Sequence, residues 1–202
     1  MMGMPKASRG RGTRDRILEV ATEMFSQRGY SACPVAEIVA GAGVTKPVLY
    51  YYFGSKEGLF RAILEEASNR HERLLEKAVS RQTSVTQKVT ELFKEVYKEV
   101  TQSPHLFRLL HNLAFSNSEK TMHGLDIESF PRRMKETLAA MAREGMEKGE
   151  LARSDPEDVA LLLMAVLSLC IDLDQCYPHN ADPGRMERLL GLALAGLGLK
   201  RG

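Results

Sequence analysis

The 202-residue sequence has no tryptophan, few other aromatic residues and only three cysteines, Cys33, Cys170 and Cys176. An odd number of cysteines without a CxxC pair excludes a disulfide framework and fits a reducing compartment. No segment alternates apolar and polar residues with the period of two that a half-buried strand requires, which excludes a β-sheet architecture. The start of the chain is basic but has no apolar run of the kind a signal peptide carries. The longest apolar run, Val159 to Ile171, is roughly half of the ~20 residues that span a bilayer. A soluble, cytoplasmic protein with no membrane partner is expected. Enzyme signatures are missing too: there is no GxSxG, no HExxH and no phosphate-cradling glycine loop. The pair Gly41-x-Gly43 is too short for a dinucleotide site. Neither catalysis nor a cofactor is expected.

A large charge of one sign is also absent, since the net charge is +2. The charge is unevenly spread, however. Residues 1–60 carry eight Lys/Arg against five Asp/Glu, whereas residues 61–202 carry twenty against twenty-one. Lys6, Arg9, Arg11, Arg14 and Arg16 near the start face only Asp15. A basic end on a near-neutral body suits a protein that meets phosphate with that end.

What is present is helical periodicity almost throughout. Residues 1–12 read as a flexible basic arm, either lying along a DNA minor groove or without a role. Thr13 is placed to cap a first helix that carries Ile17, Leu18, Ala21, Met24 and Phe25 on one face and stops at Gly29. Pro34 to Ala40 forms a second helix, with the proline early in it. Thr45 is placed to cap a third, from Lys46 to about Phe53. Ser55 caps a long helix to about Ser80. Ser103-Pro104 starts another, residues 116–126 form a loop, and Arg132 to Lys148 is helical up to Gly149. Asp155-Pro156 and Asp182-Pro183 each place a cap and a proline before a helix. The expected fold is all-α, with about nine helices. The expected domains are the arm 1–12, a DNA-binding head 13–58 and a helical body 59–202.

The sharpest signal is Val35 to Phe53, VAEIVAGAGVTKPVLYYYF: two short helices joined by a glycine-containing turn. Ile38, Ala42, Val44 and Leu49 are spaced to pack the two against each other. This is the arrangement of a helix-turn-helix, whose second helix enters the major groove. TRDRILEVATEMFSQRGY followed by VAEIVAGAGVTKPVLYYYFGSKEGLF resembles the N-terminal domain of the tetracycline-repressor (TetR) family over residues 13–64. Over the remainder the similarity is one of length, helix order and a Lys148-Gly149-Glu150-Leu151 turn. Gly41-x-Gly43-Val44-Thr45, Leu49-Tyr50, Phe53 and Ser55-Lys56-Glu57 carry it in one register.

Lys46 and Lys56 each stand in the first turn of a helix, where a cation opposes the positive end of the helix dipole. That placement is explained if a phosphate docks at both helix starts; the alternative is a pair of solvated surface lysines. The resemblance implies that Tyr51 and Tyr52 present hydroxyls to DNA, with Tyr50 partly structural. Thr45, Lys46, Pro47 and Val48 are then the base-reading positions, using Lys46 and an apolar contact with a thymine methyl. The expected DNA-binding set is Thr45, Lys46, Pro47, Val48, Tyr51, Tyr52 and Lys56. Cys33-Pro34 departs from the family, which often has a threonine there, so one phosphate contact loses its side-chain donor. Cys33 itself is either a redox handle or a small packing residue.

In the body, Val159 to Ile171 is apolar nearly all the way round, so one side can serve the core and the other a partner subunit. The last helix, Met186 to Leu199, is rich in leucine and small residues. The pair resembles the family's dimerising four-helix interface. The resemblance also implies a cavity for a small apolar effector, with Phe93, Tyr97, Phe107, His111, Phe115, Met134, Leu138, Met141, Met164 and Cys170 as candidate lining and His111 as polar anchor. Each of these residues, taken alone, is more often a plain core residue than a cavity wall. Asp172, Asp174, Cys176 and His179 are metal-ligand types, but Pro178 breaks the helix and the spacing matches no zinc pattern, so a helix end with solvated acids is expected and no metal site. The implied protein is a ligand-responsive repressor, homodimeric on a palindromic double-stranded operator. An activator, or a metal-responsive regulator with the same head, is the alternative.

Overall fold

The computed structural model describes residues 12–115, 129–177, 179, 182 and 184–198. Among these, nine helices and no strand are found: α1 Thr13–Arg28, α2 Val35–Gly41, α3 Lys46–Phe53, α4 Lys56–Val79, α5 Val85–Gln102, α6 Pro104–Phe115, α7 Ser129–Glu147, α8 Pro156–Cys176 and α9 Arg185–Gly198. The arm 1–11, the expected loop 116–126, Pro178 and Pro183 lie outside the described residues.

Several helix starts differ from the sequence expectation. Gly12, not Thr13, occupies the cap position of α1. Pro34 is the cap residue of α2 rather than its first helical residue. Helix α7 begins three residues early, at Ser129, ahead of Pro131. Helix α9 begins at Arg185, because the Asp182 carboxylate bonds the Gly184 N–H in a turn of its own. Two caps stand as expected. Ser55 Oγ accepts from Gly58 N at 2.9 Å, and Asp155 accepts from the amides of Glu157 and Asp158. These side chains satisfy amides that have no partner within the helix.

The described chain divides into two compact units. The first holds α1 to α3, α4 as far as Ala67, and α6 from His105. The second holds the rest of α4 with α5, α7, α8 and α9. The expected boundary at 58/59 therefore falls inside a continuous helix, since nothing between Lys56 and Val79 breaks the α4 ladder. The core of the first unit is built from Ile17, Ala21, Phe25, Ile38, Leu49, Leu59 and Phe60, all essentially inaccessible. It also includes a polar seam: the buried Ser26 faces His105 Nδ1, and its carbonyl accepts from Asn112 of α6.

In the second unit α7 packs on α5 and α8, and α9 on α5 and α8. Lys88 is buried, with both Glu144 oxygens 2.9 Å from its ammonium. The Glu150 carboxylate accepts from Val85 N at 2.6 Å and so caps α5 from the turn that follows α7. Helix α8 is two-sided. Ala160, Leu163, Leu167, Cys170 and Ile171 are buried, while Leu161, Leu162 and Leu169 each keep about half of their surface exposed. On α9, Leu192 is 70% exposed. No described helix is long and apolar enough to cross a membrane.

Candidate nucleic-acid interface

The α2–α3 corner is set by backbone geometry. Ala42 N bonds Ile38 O and Val44 N bonds Val39 O, both at 2.9 Å. Gly43 takes φ 62°, in the left-handed region that side chains other than glycine seldom occupy. Ile38, Ala42 and Leu49 are buried as the spacing predicts, and Val44 is half-buried. The next corner depends on Gly58, where a Cβ would run into the Phe53 carbonyl. That close approach lets α4 leave α3 at once, and no local pattern in the sequence marks it.

With Leu49 buried, the helical period turns its opposite face outward. Successive residues rotate by about 100°, so Pro47 and Tyr51 lie across the helix from Leu49. Tyr51 is 83% exposed. Thr45, Lys46 and Pro47 are exposed, Val48 is half-buried, and Tyr52 stacks edge-on against Tyr51 with ring centroids 5.2 Å apart. Tyr50 is as exposed as Tyr52, at 44% against 41%, so the structural role expected of Tyr50 does not separate the two. Thr45 holds the cap position of α3, but its hydroxyl makes no capping bond, contrary to expectation. The exposed face of α3 thus presents hydroxyls, one cation and no carboxylate.

The lysine at the start of α4 is placed otherwise. Lys56 Nζ lies 2.5 Å from the Tyr30 carbonyl oxygen, 4.3 Å from the Tyr30 ring centroid and 5.9 Å from that of Phe25. Burial pushes its ammonium below the ordinary lysine value. Burial also raises the Tyr30 phenol, with the nearby Glu57 charge adding to the effect. Cys33 is fully buried, and its thiol donates to the Met24 and Gly29 carbonyls at 3.3 and 3.2 Å. A thiol enclosed in this way packs and closes a turn, which rules against the redox handle. Of the basic residues at the start, Arg14 Nη1 reaches Glu66 at 2.5 Å with its guanidinium over the Phe53 ring, while Arg16 is exposed.

The candidate effector residues separate between the units. Phe93, Met134, Leu138, Met141 and Cys170 are buried in the second unit, where α5, α7 and α8 pack pairwise. Met164 is half-buried there, and the Tyr97 hydroxyl donates to Asp174. Phe107 and His111 belong to the first unit, with ring centroids 5.9 Å apart, and His111 is exposed. The side chain of Phe115 lies outside the description. An open depression of about 300 Å³ between α4 and α7, lined by Glu72, Leu75, Val79, Arg133 and Thr137, involves none of these residues. Asp174 also pairs with Arg185 at 2.9 Å, which draws it away from the acidic helix end. No group of three metal-ligand side chains occurs among the described residues.

The first unit thus carries a helix-turn-helix whose second helix turns a carboxylate-free face outward, and the body is all-helical among the described residues. The comparisons with known proteins agree. Residues 17–63 match the description "Bacterial regulatory proteins, tetR family". The HTH-type transcriptional repressor ComR of Escherichia coli is 44% identical over 68 residues, 32% of each chain. The match thus spans about a third of the length of that curated relative. Over the whole fold, the chain is similar to a gamma-butyrolactone receptor (ArpA-like protein), with TM-score 0.63, 27% identity and coverage of 92% and 95% of the two chains. It is also similar to SmeT in its triclosan complex, with TM-score 0.72, 20% identity and coverage of 95% and 94%; that likeness concerns the fold alone. The head, residues 17–63, is thus similar to the DNA-binding domain of the tetR family.

Proposed function

We propose that the chain is a ligand-responsive, sequence-specific transcriptional repressor that binds a palindromic operator as a homodimer and leaves it when a small apolar molecule binds the body. The observation that carries the reading is the outward face of α3, where Lys46, Tyr51 and Tyr52 stand exposed around a buried Leu49. Thr45, Lys46, Pro47, Val48, Tyr51, Tyr52 and Lys56 are the groups assigned to DNA. The exposed leucines of α8 and α9 support a second copy as partner, because apolar area left in water on two adjacent helices is stabilised by covering it. Likeness to a gamma-butyrolactone receptor supports a small-molecule effector. The release mechanism is a shift between two head spacings, driven by the effector's differential affinity for them. Titration of the DNA upstream of its own coding region, with and without apolar small molecules, tests it. Tight binding that a subset of compounds reverses is expected. Weak binding that is indifferent to sequence would remove the repressor reading.

A further inference from the structure

Among the described residues, His71 Nε2 on α4 is the buried side-chain polar atom that has no hydrogen-bond partner. An unpaired buried acceptor is costly, so a group from outside the chain is expected to meet it. The imidazole bonds the Phe130 backbone, a contact that favours a proton on the bonded nitrogen. With Nε2 unpartnered, that nitrogen is Nδ1, which leaves Nε2 as a lone-pair acceptor. Burial disfavours the imidazolium, so the acceptor is neutral. Its surroundings say which donor fits. The charged groups beside it are Glu72 of α4 and Arg133 of α7, which bond each other at 3.0 and 2.9 Å and so face it as a neutral pair. The Phe130 ring lies 5.4 Å away, and one turn further on α7 buries Met134 and α4 buries Leu75. There is also room beside it. The depression of about 300 Å³ between α4 and α7 begins one turn along, walled by Leu75, Val79 and Thr137. All of these residues belong to the second unit, whereas His111, the expected polar anchor, is exposed in the first.

We propose that a ligand site lies between α4 and α7 of the second unit, with His71 Nε2 as its polar anchor, and that it takes a neutral, largely apolar molecule whose hydroxyl donates to that nitrogen. An anion would meet a lone pair there, and a cation would have the Arg133 guanidinium beside it. The inference rests on the ligand-responsive reading above in calling this molecule the effector, and it gives that effector a chemical class.

The probes are para-butylphenol and its methyl ether, which are alike in shape and apolar surface while only the phenol donates a hydrogen bond. Both are titrated calorimetrically into the full chain at about pH 7.5, where the phenol is uncharged. The phenol is expected to bind on the order of tenfold more tightly than the ether, and to shift the Nε2 nitrogen resonance of His71. In His71→Leu the preference should vanish while the affinity for the ether is kept. In His71→Gln, whose side-chain carbonyl also accepts, part of the preference should return. Equal affinity for the two probes, binding of neither at millimolar concentration, or an Nε2 resonance that the phenol leaves in place would each overturn the proposal. If His71→Leu does not fold, the two probes and the resonance of the unsubstituted protein decide it alone. Anisotropy of labelled upstream DNA keeps the functional reading separate. Absence of DNA binding with the phenol preference intact would remove the repressor reading and leave the ligand site standing.

Discussion

At Lys46 a cation stands where the helix dipole disfavours one, on a helix with no acid in its first turn. Replacing it by alanine would relieve a small local cost to the helix, so stability should hold or rise slightly. Affinity should fall for specific and random DNA alike, and the salt slope should drop by about 0.9, read by anisotropy titration. A normal slope in Lys46→Ala would remove it from the interface. The sequence marks both lysines by the same local pattern, yet Lys46 stands exposed while Lys56 is half-buried against Tyr30. Lys56 is captured by Tyr30, 26 residues earlier in the chain. A contact of that separation leaves no trace in helical spacing. Cys33 is ambiguous in sequence for the same reason, since its burial depends on where Met24 and Gly29 place their carbonyls.

Among the elements, α4 shows most clearly what local reading can and cannot supply. Its start at Ser55 is written in the cap, and the helix runs on through Gly58 without a break. Its later turns meet α7 through contacts that only the fold creates. Glu72 takes two hydrogen bonds from Arg133 at 3.0 and 2.9 Å, and the His71 ring lies 5.4 Å from that of Phe130. His71 Nε2 is buried without a partner among the described residues. Burial holds the His71 imidazole below its ordinary value, against the opposing Glu72 charge and a hydrogen bond to the Phe130 backbone. The unfolded chain therefore takes up a proton below about pH 6.5 that the folded imidazole resists. Stability should fall as the pH drops from about 7 to 5, and His71→Leu should flatten that part of the profile, measured as urea midpoints. The Arg133 hydrogen bond and charge hold the Glu72 carboxyl below its ordinary value of 4.5, so that pair loses its contribution only at lower pH. An unchanged profile in His71→Leu would show that the imidazole is not held neutral.

For the whole molecule, the two-sided character of α8 was legible because an apolar helix that also has an apolar back face has to cover it. Leu161, Leu162 and Leu169 on α8, and Leu192 on α9, are the surface that results. Charges at Leu169 and Leu192, introduced as Leu169→Asp with Leu192→Asp, should leave each chain folded but lower the mass in solution to that of one chain. They should also weaken binding to a two-half-site operator by on the order of 100-fold, since the second head then binds without the first. A dimer persisting in that variant would place the interface elsewhere. The proposed effector site is the least legible in sequence. Phe93, Met134, Leu138 and Met141 are buried apolar residues, which the pattern of a core and the pattern of a cavity wall describe equally well.

The most direct test of the account is a footprint of the full chain on the DNA upstream of its own coding region, with affinity for that fragment set against random DNA at one stated salt concentration. The account predicts two protected half-sites related by two-fold symmetry, centred about 34–36 Å or a multiple of that apart. It also predicts a specific affinity at least ~10³-fold above the random one. Diffuse protection with equal affinity for both DNAs would contradict it.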